Sequence, residues 1–140
     1  MDTTLEHCAS TPHEPNVFLD GCFAREAMTR LGGKWTVLVI KALGPQERMR
    51  FGELRRKLDG ITQKMLTQTL RDLERDGMVN RLVYPTMPPR VEYSLTKLGL
   101  STVDLIEAIC DWAEQHSEEV RLARIAFDER ATRDVQPISG

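Results

Sequence analysis

Gln63, Lys64, Thr67, Gln68 and Arg71 are spaced to share the outward side of a helix whose inward side carries Leu66, Leu70 and Leu73. The chemistry of that side is groove reading. Gln offers a paired donor and acceptor to adenine, Arg two donors to guanine, and Thr a hydroxyl to a base or phosphate and a methyl to thymine. Lys64, near the helix start, reaches phosphate. No acid interrupts the set, and Asp72, Glu74 and Asp76 are held back to the C-terminal end, whereas an ordinary solvated face mixes Glu with Lys. Thr62, the expected N-cap, joins these DNA-binding candidates. So do Arg55, which with Arg56 and Lys57 forms a basic run on the preceding helix, and Arg90, which follows Pro88-Pro89.

Other chemistries find less support. Cys8, Cys22 and Cys110, an odd number with no two close together, form neither a disulfide framework nor a CxxC pair. Cys22 opens a helix, where the dipole favours a thiolate, and Arg25 stands three positions on; the other reading of that position is a half-buried small hydrophobe. Cys110 lies beside Ile109 and Ala113 on an apolar face, which suits a core or interface residue. His7, Cys8 and His13 lack a fourth partner at metal spacing, so neither metal nor cofactor is expected. Gly33-Lys34 is no phosphate loop, because Trp35 replaces the required Ser or Thr and Met28 the first Gly. GxSxG, HExxH and GxGxxG are absent, and no enzyme is expected.

The elements that must position these residues follow from periodicity. Ala24, Ala27, Met28 and Leu31 give a first helix that stops at Gly32-Gly33, and Trp35, Leu38, Val39 and Ala42 a second that stops at Gly44-Pro45. Phe51, Leu54 and Leu58 mark a short third helix ending at Asp59-Gly60; the fourth runs from Thr62 to a C-cap at Gly77. The period then falls to two. Residues 79–84 and 91–95 read as strands joined by Pro85-Thr86-Met87-Pro88-Pro89, a hairpin with a stiff tip. Thr96 is expected to cap one final helix running to about Arg130, with Val103, Leu105, Ile106, Ile109, Cys110, Trp112 and Ala113 covering more than half its circumference. That width exceeds one small core and points to a homodimer.

The fold class is therefore mostly α with a small β-hairpin wing, a winged helix-turn-helix dimerising through its N- and C-terminal helices. Residues 1–19 form an expected flexible arm, 20–130 the domain with its dimerisation helix, and 131–140 a flexible tail. At 140 residues the chain can bury about two-thirds of its unfolded surface around one core. Its net charge of -2 conceals a division: residues 34–90 hold 12 Lys and Arg against 6 Asp and Glu, the remainder 7 against 15. A basic middle with acidic flanks suits a polyanion held at one place. No apolar run approaches the roughly 18 residues of a membrane span, and the first 20 residues lack the basic start and apolar stretch of a secretory signal, so no membrane partner and a cytoplasmic location are expected.

Leu31-Gly32-Gly33-Lys34-Trp35, Phe51-Gly52-Glu53-Leu54-Arg55, Ile61-Thr62-Gln63-Lys64-Met65-Leu66 and Pro88-Pro89-Arg90-Val91-Glu92-Tyr93-Ser94-Leu95-Thr96 occur in that order. Over about residues 22–112 the chain resembles the HxlR-type family of bacterial transcription regulators, within the MarR-like group. The resemblance implies a dimeric winged-helix protein on a palindromic operator of double-stranded DNA, most often a repressor. It also implies that Cys22 matches a thiol by which several members sense oxidants or electrophiles, although Phe23 stands where the family often has Pro. Two other readings share the fold: a regulator answering a small-molecule inducer in the dimer cleft, and a module docking protein instead of DNA. The second would show exposed aromatics or aliphatics where this chain has Gln63, Lys64, Thr67, Gln68 and Arg71.

Overall fold

The computed structural model describes residues 16–19 and 21–135. His7, Cys8 and His13, with most of the expected arm, lie outside the described residues, as do residues 136–140 of the expected tail. Residues 16–19 form a turn in which Asn16 Oδ1 accepts from the Phe18 amide at 3.0 Å. The chain then divides into two units, one reaching Val103 and the other beginning at Asp104.

In the first unit, Phe23–Leu31 forms α1, Lys34–Leu43 α2, Phe51–Lys57 α3 and Gln63–Arg75 α4, with a short strand, Met49–Arg50 (β1), before α3. The core is built on α2, which packs against α1, α3, α4 and β3 (Arg90–Leu95). Covered on several sides, α2 buries Thr36, Val39, Ile40, Ala42 and Leu43, a wider set than the stripe of Trp35, Leu38, Val39 and Ala42 expected from periodicity. On α4 the expected stripe of Leu66, Leu70 and Leu73 is the buried one. Gly77 closes α4 with φ +78°: its amide bonds the Glu74 carbonyl at 3.0 Å and the Met78 amide the Leu73 carbonyl at 2.9 Å.

Val79–Tyr84 (β2) pairs antiparallel with β3 from Val79↔Leu95 to Tyr84↔Arg90. The expected two-stranded hairpin is in fact part of a three-stranded sheet of order β1-β3-β2, because β1 pairs with the other edge of β3 through Met49↔Tyr93 and Arg50↔Glu92. A two-residue strand carries no alternation from which it could be foreseen.

The single final helix expected from Thr96 is also corrected. Thr96 Oγ1 accepts from the Gly99 amide at 3.0 Å and donates to the Gly77 carbonyl at 2.6 Å, but the helix it caps is one turn, Lys97–Leu100 (α5). Gly99 is pressed so closely on β2's approach that a Cβ there would stand 2.2 Å from the Met78 carbonyl oxygen. The hydroxyls of Ser101 and Thr102 then bond back to the carbonyls of Leu98 and Gly99, and the long helix starts afresh at Val103.

That helix, Val103–Val135 (α6), has 33 residues and continues past the expected end at Arg130. Along it Leu105, Ile109, Trp112, Leu122, Ile125 and Phe127 are exposed. Within the first unit, α1 buries none of its own residues, and Phe23 and Met28 are about half exposed.

Candidate nucleic-acid interface

The turn between α3 and α4 is fixed from both sides. Leu54, Leu58 and Ile61 are buried, Gly60 adopts φ +88° beneath the Trp35 ring, and the Ile61 amide bonds the Leu58 carbonyl at 3.2 Å. Thr62 then caps α4, its Oγ1 accepting from the Met65 amide at 3.1 Å, which uses one lone pair and leaves the hydroxyl hydrogen for an outside acceptor such as a phosphate oxygen.

With Leu66, Leu70 and Leu73 locked inward, Gln63, Lys64, Thr67, Gln68 and Arg71 are all exposed on the opposite face of α4. Gln63, Lys64, Thr67 and Gln68 lie in its first two turns. Gln68 is held, its Nε2 donating to Asp72 Oδ1 at 3.0 Å. 

The cavity that Arg71 borders, together with Thr67, Leu70, Glu74, Arg81 and Tyr93, measures about 460 Å³. Arg81, on β2, thus stands next to the candidate face. Sequence reasoning missed it, its only signal being its place in the basic middle segment. Arg55 is exposed on α3 with Arg56 and Lys57, in a last turn where positive charge also suits the helix dipole.

Arg90 opens β3. Its guanidinium lies 4.3 Å from the centroid of the Tyr84 ring, and its Nε is 3.3 Å from Glu92 Oε2. Arg48 reaches the same place, donating to the Tyr84 hydroxyl and standing 3.7 Å from Glu92 Oε1. Tyr84, followed by Glu47 and Glu92, favours the charged form of Arg48 and raises its pKa. Arg90 is therefore held at the loop end of the wing, in the last ladder pair before residues 85–89, where Met87 is almost fully exposed. Arg48, like Arg81, was not singled out by sequence.

A second group lies behind α4. Arg30, in the last turn of α1, donates from Nε to Asp76 Oδ2 at 2.8 Å and from Nη1 to Asp72 Oδ2 at 3.1 Å. The Asp76 hydrogen bond, opposed by partial burial and aided by the charges of Asp72 and Asp76, raises the Arg30 pKa. Cys22 is the N-cap residue of α1 and is buried, at 4% exposure; its carbonyl accepts from the Arg25 and Glu26 amides. The expected Arg25 neighbour is present in sequence, but the thiol is covered. Cys110 is half-buried on α6. Among the described residues no group of three or more His, Cys, Asp or Glu side chains could hold a metal ion, and no helix is long and apolar enough to cross a membrane.

A family model described as HxlR-like helix-turn-helix matches residues 30–121. The chain belongs to the HxlR-like helix-turn-helix family. It is similar to the HTH-type transcriptional regulator YtfH of Escherichia coli strain K12, 44% identical over 118 residues that cover 84% of this chain and 90% of that protein. Among solved structures, the transcriptional regulator ytfH of Salmonella typhimurium superposes with a TM-score of 0.73 at 43% identity, covering 79% of this chain and 98% of that one. The redox regulator HypR in its oxidized form superposes with a TM-score of 0.62 at 39% identity, covering 67% of this chain and 96% of that one. The HxlR-like chain is thus a winged-helix transcriptional regulator of a non-enzymatic family whose members imply DNA binding.

Proposed function

We propose that this regulator is a repressor that binds a palindromic operator of double-stranded DNA as a homodimer, and that oxidation or electrophile attack at Cys22 lowers its affinity. The observation that carries the reading is the outward face of α4, where Gln63, Lys64, Thr67, Gln68 and Arg71 are exposed together with no acid among them. Gln68 and Arg71 read base edges, Lys64 and Thr62 meet phosphate at the helix start, and Arg55 and Arg90 contact the backbone on either side.

The exposed apolar residues of α1 and those of α6 supply surface for a second copy to bury, which supports dimerisation through these helices. Cys22 heads α1, so an adduct there adds bulk to a helix at the dimer contact and changes the separation of the two α4 helices. Its burial requires the N-terminal end of α1 to open before reaction. The name of the HypR neighbour supports a redox role.

A small-molecule inducer is the second reading, and one cavity favours it. Phe23, Ala27, Met78 and Leu98, with Arg30 and Asp76, line an open cleft of about 790 Å³ beside α1. Operator affinity measured with and without diamide, in the wild type and in Cys22→Ser, separates the two. Loss of the response in the variant supports the thiol; an unchanged response moves the ligand reading ahead.

A further inference from the structure

We propose that Arg30 is a positioning residue for base readout, fixing the Gln68 amide through Asp72 and so tying α1 to the recognition surface. The inference rests on the reading of α4 as the base-reading helix. Asp72 divides its carboxylate between two donors: Oδ1 receives Gln68 Nε2 at 3.0 Å and Oδ2 receives Arg30 Nη1 at 3.1 Å. The chemistry sets the orientation of the amide. An ionised carboxylate only accepts, so the nitrogen of Gln68 must face Asp72. One Nε2 hydrogen is used there, leaving the other and the Oε1 acceptor for the donor and acceptor edge of adenine.

Arg30 is what keeps Asp72 available. Asp72 and Asp76 stand one helical turn apart, a spacing at which like charges repel, and the Arg30 guanidinium bridges them, with Nε 2.8 Å from Asp76. Without it the two carboxylates separate, Asp72 leaves Gln68, and the amide is free to flip and present the wrong pattern. Arg30 lies in the last turn of the helix that begins at Cys22, so a displacement of α1 is felt at one base-reading side chain and not evenly over the DNA surface.

The test uses a duplex selected by the full-length wild-type protein from a random pool, together with its complete set of single base-pair substitutions. Each is titrated with wild type, Gln68→Ala, Arg30→Met, Asp72→Asn and the double variant Arg30→Met/Gln68→Ala. Gln68→Ala is expected to lose about tenfold in discrimination at one base pair of each half-site. Arg30→Met and Asp72→Asn are expected to lose discrimination at that same base pair, and the double variant to lose no more there than Gln68→Ala alone. Asp72→Asn keeps the side-chain volume and carries the test if Arg30→Met does not fold. A loss in Arg30→Met and Asp72→Asn that is uniform over all duplexes, with Gln68→Ala still specific to one base pair, overturns the proposal and leaves Arg30 a brace of the fold. A Gln68→Ala variant with every preference intact overturns the base-reading assignment itself, and the proposal with it.

Discussion

The guanidinium of Arg90 lies 4.3 Å from the centroid of the Tyr84 ring, its neighbour across the β2–β3 ladder. The ring holds the cation in place, so the two residues are expected to act as one. Arg90→Ala and Tyr84→Leu should both weaken binding to every duplex alike and reduce the slope of log affinity against log salt by about one unit. Tyr84→Phe keeps the ring and should stay near wild type. A loss confined to particular base pairs, measured by titration at several salt concentrations, would instead assign Arg90 to the minor groove.

Arg71→Ala and Gln68→Ala are expected to cost about 1–3 kcal/mol on the selected duplex and little on random DNA, since base contacts carry the preference. Competition titration with both DNAs measures the difference. Equal losses on the two would turn Arg71, beside Arg81 in its cavity, into a phosphate contact.

The operator is expected to be an inverted repeat with half-sites about 10 base pairs apart, or a multiple of that, because two α4 helices related by a two-fold axis enter major grooves on one face of the duplex. Footprinting gives the spacing. Ile109→Glu, on the exposed apolar side of α6, should shift sedimentation toward the monomer and lower operator affinity by about 100-fold or more, as two linked half-site contacts become one.

Diamide or a quinone should release the protein from its operator, and Cys22→Ser should bind normally when reduced and no longer respond. Cys110→Ser and Cys8→Ser should retain the response unless one of them supplies the resolving thiol. Because Cys22 is buried, its reaction with a thiol reagent should be slow in the folded protein and accelerate in denaturant. A fast reaction in native buffer speaks against the covered geometry.

Gly99→Ala is expected to destabilise the fold by about 1–3 kcal/mol or more, since the added methyl meets backbone, the Met78 carbonyl, at 2.2 Å, and not a side chain that can move aside. Denaturant unfolding of the variant beside wild type measures it.

Most of the helix-turn-helix was legible because its signals are local: Leu66, Leu70 and Leu73 repeat at helical spacing, Thr62 caps, and Gly77 closes. Much of what escaped depends on distant partners. β1 exists only because β3 lies beside it, and α5 stops after one turn where the Ser101 and Thr102 hydroxyls bond back to the Leu98 and Gly99 carbonyls, a break that the apolar spacing does not mark. The candidate face of α4 was readable from residue types alone, and the structure leaves all five of its side chains exposed. Arg30 and Asp72, 42 positions apart, gave no sign of their pairing, because an ion pair between elements leaves no period in the chain.

The pairing of Arg50 with Glu92 also has a mechanical meaning. It fastens together the two ends of a loop that contains α3, the turn, α4 and β2, so the reading head is a closed ring and not an arm hung from one end. Closing a ring of that length costs about 3 kcal/mol in chain entropy, which the packing of the enclosed helices must offset. In return, a break of the backbone at the wing tip leaves α4 anchored through α3 and β1 on one side and through β2 on the other.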